Sequence, residues 1–453
     1  ASDFRVFDVN SSGTVTFKYL SVKNGTTSGS DDVAGVHASS NIVVENCVFD
    51  NNSSTDDGGG IYMEKSTDLT ISNSAFRNNS SSWGGGVYVR GTATISNSEF
   101  SSNSASTDAG ALRSGTDATV TTVTNCTFYG NTAGSDGGAV GVNVGTVNMI
   151  NCTVSGNTAT SGIGGGVQND GSGATLTIKN CIIDDNINSS GKPDLGGTIT
   201  SNGYNLIGNR GSQSFSTSTG DLLGTSSSQL DAKLGSLTTN GSSSLKTMTL
   251  GAGSPAINAG TTTGALTTDQ IGQSRIGATD MGAYESQMPV VLSVSSTDAD
   301  GTYVIGDDVD ITVTFDAAVT VSGTPQIELE TGSTDAVVDF SSGSGTTTLT
   351  FTYSIQNGQA TSDLDVTSST ALNLNGGSIK SGSGVNATRT LPSPGDPTSL
   401  GALKDIRIDG SAPTVSNVTS TKSNGTYKAG DVINVQVTFN EQVTVTGTPQ
   451  ITL

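Results

Sequence analysis

The sequence predicts an all-β chain: a right-handed parallel β-helix followed by β-sandwich modules, the last one incomplete. Three observations predict it. A motif beginning Asn-x-x-Phe recurs at intervals of about 27 residues between Asn46 and Ile183. A second repeat, with an offset of 124 residues, occupies the chain after Met288-Pro289. Apolar residues alternate with period two in both regions, and no stretch shows helical spacing.

Composition sets the limits within which these elements form. The 453 residues suffice for about two or three domains, yet only 32% are hydrophobic, with 60 glycines and long Ser/Thr/Asn/Asp stretches. Weak hydrophobicity and a net charge of −21 would suit a disordered chain, and only the periodicity argues otherwise. The acidity reflects 19 Lys and Arg against 40 Asp and Glu, which disfavours nucleic acid and anionic membrane surfaces and favours calcium. No apolar run reaches the roughly 18 residues of a membrane-spanning helix, so direct membrane insertion is not expected. Ala1-Ser2-Asp3-Phe4 lacks the pattern of an export signal, so any signal or anchor is expected outside this chain.

The β-helix is read over residues 1–287. Asn46-Cys47-Val48-Phe49, Asn73-Ser74-Ala75-Phe76, Asn97-Ser98-Glu99-Phe100, Asn125-Cys126-Thr127-Phe128, Asn151-Cys152-Thr153-Val154 and Asn180-Cys181-Ile182-Ile183 share one pattern. A further Asn follows three residues after each Phe position, at Asn52, Asn79, Asn103, Asn131, Asn157 and Asn186. A glycine cluster then precedes an apolar residue, as in Gly58-Gly59-Gly60-Ile61 and Gly84-Gly85-Gly86-Val87. One such unit cannot bury an apolar face alone, but stacked coils can. Leu69 and Ile71 are expected to point inward before Asn73, and Ser74 and Phe76 after it. That one-residue slip marks a corner, where Asn tolerates a left-handed backbone. Cys47, Cys126, Cys152 and Cys181 all follow the corner Asn and should form a column inside the coil. Coils roughly 4.8 Å apart suit buried free thiols better than disulfides, and a straight column cannot surround a metal.

These repeats resemble those of chlamydial polymorphic outer-membrane autotransporters and related bacterial β-helix surface proteins. Gly203-Tyr204-Asn205-Leu206-Ile207-Gly208, Ser254-Pro255-Ala256-Ile257-Asn258-Ala259-Gly260 and Asp280-Met281-Gly282-Ala283-Tyr284-Glu285 are similar to the closing region of choice-of-anchor Q β-helix proteins. The resemblance implies surface display and no shared chemistry.

In the second region, Gly301 to Asp307 and Val319 to Ile327 recur as Gly425 to Asp431 and Val443 to Ile451. An offset of 124 residues fits an immunoglobulin-like sandwich over 288–410, with a second begun over 411–453. The series is similar to the tandem modules of giant bacterial adhesins. Because a third of a sandwich cannot close a core, continuation beyond Leu453, or a strand from elsewhere, is expected.

Three sets of residues could carry chemistry. The column before the glycine corner reads Asp57, Trp83, Asp108, Asp136 and Ile163, where stacked carboxylates and an exposed Trp would suit a cation or a sugar. Asp is also an ordinary turn residue before Gly, and Trp83 could pack locally. Asp298, Asp300, Asp307, Asp308, Asp409 and Asp431 lie near the module junctions and could bind calcium, as tandem adhesin modules imply, or be solvated loop carboxylates. Lys422 and Asn424 stand where Asp298 and Asp300 would repeat. Catalysis would fall to Asp184-Asp185, which lack basic partners, and the single His37 reads as a loop residue. The expected function is therefore a non-catalytic extracellular adhesin or surface-fibre component. Its expected partners are surface glycans, other cell-surface proteins or copies of itself. The alternatives are a structural spacer or lattice subunit, and a polysaccharide lyase or glycoside hydrolase.

Overall fold

The computed structural model describes residues 4–29, 33–189, 191, 193–241, 243–251, 253–382 and 384–453. The chain divides into two compact units, Ala1–Ser286 and Gln287–Leu453.

The first unit is a parallel β-solenoid whose coils contribute one strand each to stacked sheets of eight, nine, nine and seven strands among the described residues. One coil runs through Ile61–Met63, Asp68–Ser72, Ala75–Arg77 and Ser80–Ser81, and the next through Val87–Val89, Thr92–Ser96, Glu99–Ser101 and Ser104–Ala105. Their registers place Ile61 on Val87, Leu69 on Ala93 and Phe76 on Phe100. Leu69, Ile71, Ser74 and Phe76 all point inward, and Thr70 and Asn73 point to solvent, as the alternation and its slip predict.

Three columns of left-handed residues make the corners. Asn46, Asn73, Asn97, Asn125, Asn151 and Asn180 form the first, with φ between 49° and 55°. Asn51, Asn78, Ser102 and Asp185 belong to the second, and Gly58, Gly84, Gly137 and Gly164 to the third. The second asparagine of each repeat has another task. Asn52, Asn79, Asn103, Asn131, Asn157 and Asn186 are fully buried, and each Nδ2 donates to the Oδ1 of the next, at 2.8–2.9 Å. The ladder ends on Asp194, whose Oδ1 accepts from Asn186 Nδ2 at 2.8 Å. Inside the corner, Phe49, Phe76, Phe100 and Phe128 stack with centroids 4.7–4.9 Å apart. Each fully buried ring contributes about 2 kcal/mol. Cys47, Cys126, Cys152 and Cys181 are buried free thiols as expected, and burial pushes Cys126 up to about 12.

Residues 232–241, 243–251 and 253–286 do not continue the coils but run back along the solenoid as a strap. Ala256 and Met281 pack on Ile182 in a small apolar cluster. Gly282 N donates to Asn180 O at 2.7 Å, Ala283 N to Thr153 Oγ1 at 2.9 Å, and Lys246 N to Glu99 Oε2 at 2.9 Å. Arg275 anchors it from within, bonded to Glu285 at 2.8 Å and to Asn125 Oδ1 at 3.1 Å.

The second unit has a seven-stranded, mainly antiparallel sheet built on the long strand Asp308–Ser322. A three-stranded sheet completes it, in which Gly301–Val304 pairs parallel to Ile406–Asp409. One core that includes Val294, Val313, Phe351 and Ile406 serves both. The 124-residue repeat is structural as well as sequential. Val291 pairs with Phe315 and Val294 with Val313 across a bulge, and Val415 pairs with Phe439 and Val418 with Val437 across the same bulge. The two copies differ in cover, since Val294 and Val313 are 0% exposed and Val418 and Val437 are 52% and 40% exposed.

Candidate functional site

The column before the glycine corner is in register, as expected. Asp57 forms a parallel bridge with Trp83, Gly84 N donates to Asp108 O at 3.1 Å, and Ala109 N donates to Asp136 O at 3.0 Å. The carboxylates are largely committed to the solenoid itself. Asp108 Oδ1 accepts from Asp136 N at 3.0 Å, and Asp136 Oδ1 accepts from Ile163 N at 2.6 Å, so each Asp caps the next coil. Each stacked acid thus spends one oxygen on a backbone amide of the following coil.

Their counter-charge is Arg113, which composition and spacing did not single out. It projects from Leu112–Ser114 yet is only 1% exposed. Its Nη2 lies 3.1 Å from Asp170 Oδ2 and 3.5 Å from Asp108 Oδ2, and its guanidinium stands 5.2 Å from the Trp83 ring. Gly141, one coil on, makes the space, because a Cβ there would come within 2.6 Å of Arg113 Nη1. Trp83 is thus half-buried and packed locally against a cation, the second of the two sequence-based alternatives, rather than exposed for a sugar ring. The available signal was positional, since Arg113 aligns with Tyr88 and Tyr62 on successive coils.

Those tyrosines extend an outward ladder. His37 stacks on Tyr62 at 5.7 Å, and Tyr62 on Tyr88 at 5.4 Å with rings 7° apart. Rings stacked on one another along the axis turn their edges outward, so their faces are closed to ligands. His37 is a strand residue rather than a loop residue, with Nδ1 3.0 Å from Asp8 Oδ1. Arg90 Nη1 donates to Tyr62 O–H at 2.8 Å and pairs with Glu64 at 3.2 Å and with Asp117.

Asp57 is the exception in this network. Half-buried, it has no side-chain hydrogen bond among the described residues. Burial and then the neighbouring Asp56 charge push it up to about 6, against the pull of Arg90 and Arg113. Asp108 is also raised by burial, while the Asp136 amide and Arg113 pull it down. Burial takes Tyr88 to about 12.

Asp184 and Asp185 do not converge on a cleft. Asp184 is buried, its oxygens accepting from Asp185 N at 2.8 Å and Ala232 N at 2.9 Å, and burial raises it to about 6. Asp185 occupies a left-handed corner with φ 59°.

In the second unit each candidate calcium ligand accepts a nearby hydrogen bond. Asp298 Oδ2 accepts from Asp310 N at 2.6 Å, Asp300 Oδ1 from Asp405 N at 3.1 Å, and Asp308 Oδ1 from Ser354 O–H. Asp307 Oδ2 accepts from Val304 N at 3.0 Å, and Asp431, its repeat equivalent, from Lys428 N at 2.9 Å. Asp409 Oδ1 accepts from Ser411 N at 3.1 Å. Burial and the charges of Asp298, Asp307 and Asp300 together raise the Tyr303 hydroxyl, which places the three in one neighbourhood. Among the described residues no three His, Cys, Asp or Glu side chains gather closely enough to hold a metal ion.

Two family profiles match the chain. One, described as "Right handed beta helix region", matches residues 59–232, and one described as "Chlamydia polymorphic membrane protein repeat" matches residues 46–64. No curated protein and no solved structure matches it. With the solenoid geometry, the two matches support a right-handed β-helix surface protein.

Proposed function

We propose that this chain is part of a non-catalytic, extracellular adhesin whose β-helix engages surface glycans or other cell-surface proteins. The observation that carries this reading is the surface-protein repeat matched at residues 46–64, which contains Asp57, the carboxylate of the acid corner left without a hydrogen-bond partner. A half-buried acid beside Trp83 and Arg113 suits a hydroxyl-rich ligand, accepting hydrogen bonds from its O–H groups. Non-catalytic character is supported by Asp184, both of whose oxygens accept backbone amides. In the second unit, the shared core and the 124-residue offset support immunoglobulin-like modules. The closing strap, with Ala256 and Met281 at its centre, fits a choice-of-anchor Q-like end.

A glycan array and a cell-binding assay test the adhesive reading. Binding should fall at least about tenfold in Asp57→Ala, with the thermal midpoint no lower than that of the unaltered chain. Absence of any binding, or binding unchanged by the substitution, overturns it. Calcium at the second unit is a companion proposal, resting on the closely spaced carboxylates Asp298, Asp300, Asp307 and Asp308 of the sequence. A chelator should lower the thermal midpoint of that unit, and an unchanged midpoint removes calcium from the account. The exposed apolar positions Val418, Ile433 and Ile451 favour a second reading, self-association into fibres. Sedimentation across a concentration series measures it directly.

A further inference from the structure

The corner asparagines change character along the solenoid. Asn180, Asn151 and Asn125 are buried, Asn97 is half-buried, and Asn73 and Asn46 are exposed. The strap covers the buried three and bonds two of them, Asn180 and Asn125, through main-chain groups, whereas the amide of Asn151 is buried without a hydrogen-bond partner. Asn180 Nδ2 donates to Thr261 O at 2.7 Å while Asn180 Oδ1 accepts from Thr261 N at 3.0 Å, so one amide side chain pairs with both polar groups of one backbone residue. Two coils on, Asn125 Nδ2 donates to Thr268 O at 2.8 Å. Further along the column, the side chains of Asn46 and Asn73 make no hydrogen bond among the described residues, and Asn97 keeps a free Nδ2.

The open stretch is a groove rather than a flat face. Leu245 and Ile271 of the strap line it, Arg77 reaches across to Ser244 O at 3.4 Å, and Tyr19 holds the same left-handed corner one coil before Asn46. Three asparagines at roughly 4.8 Å per coil span about 10 Å, the length of about three extended residues. All three carry the left-handed backbone of their covered counterparts, with φ 55°, 49° and 49°.

We propose that Asn46, Asn73 and Asn97 form a docking groove for an extended peptide segment of a partner protein, recognised through its main-chain N–H and C=O groups. An Asn amide offers one acceptor and two donors, the complement of a peptide unit, and pairing with backbone tolerates varied side chains. The segment that fits resembles the strap, with small polar residues and no proline at the paired positions, since proline lacks the N–H that Asn Oδ1 accepts. This groove lies at a different corner of the coil from Asp57, so the proposal does not depend on the adhesive reading.

The probe is a fluorescein-labelled synthetic peptide with the sequence of residues 259–271, added to the full chain and followed by fluorescence anisotropy. Saturable binding is expected, weakened at least tenfold in Asn46→Gly/Asn73→Gly, which deletes both amides while glycine keeps the left-handed backbone. The control Asn51→Gly/Asn78→Gly, at the neighbouring left-handed column, should bind as the unaltered chain does. No saturable binding, equal loss in both double variants, or binding indifferent to Asn46 and Asn73 would each overturn the proposal. So would neutral oligosaccharides that bind the unaltered chain, lose affinity in Asn46→Gly/Asn73→Gly, and displace the peptide.

Discussion

The side chain of Asn131 takes part in four hydrogen bonds, all within the solenoid: its Oδ1 accepts from Asn103 N and Nδ2, and its Nδ2 donates to Phe100 O and Asn157 Oδ1. Replacing it by Ala leaves buried partners on both neighbouring coils unpaired. Asn131→Ala is expected to cost about 3 kcal/mol, read as a lowered urea midpoint, whereas Thr132→Ala on the exposed side should change stability by less than about 0.5 kcal/mol. Asp57 gives a pH signature of definite sign. Below the ordinary carboxyl pKa of 3.8 the group is protonated in both folded and unfolded chains. Between 3.8 and about 6 only the unfolded chain ionises, so stability falls as pH rises, and the loss is complete above about 6. Asp57→Asn should therefore raise the thermal midpoint at pH 7 more than at pH 4. Equal shifts at both pH values would count against a raised Asp57.

At the scale of the element, the corners were legible and the strap was not. A left-handed residue is a local requirement, met by Asn or Gly whatever lies beyond, so Asn73 and Gly84 mark their turns in the sequence alone. The strap is held by groups far apart in sequence. Asn125 and Arg275 are 150 residues apart, and no periodicity announces their contact. Arg275 is buried with Glu285, and Asp280 lies against the same cluster, raised well above the usual carboxyl range by burial and by Glu285. Arg275→Met would leave these carboxyls without their cation at a cost of about 3–5 kcal/mol. Amide exchange over residues 260–286 should accelerate, while Val87–Val89 in the solenoid core stays protected. Exchange unchanged in the strap would show that Arg275 does not anchor it.

For the whole molecule, the division after Ser286 separates two cores of different construction. The solenoid is stabilised by ladders that repeat from coil to coil, and the second unit by one apolar core shared between two sheets. Calorimetry is expected to resolve two transitions, of which Asn131→Ala moves one. A single transition shifted as a whole would mean that the units unfold together.

The sequence by itself determined the solenoid, its corners, the cysteine column and the 124-residue repeat of the second unit, because each rests on local backbone preference or on a period that every copy restates. Only the tertiary structure decided what the acid corner does. Arg113 reaches Asp170 across 57 residues and places its cation beside Trp83, turning expected ligand groups into packing partners. It likewise decided that the second asparagine of each repeat, rather than the first, bonds continuously along the axis. Burial separates the two: an amide sealed inside the coil must find its partners in neighbouring coils, and one at an exposed corner can bond to water, to the strap or to another chain.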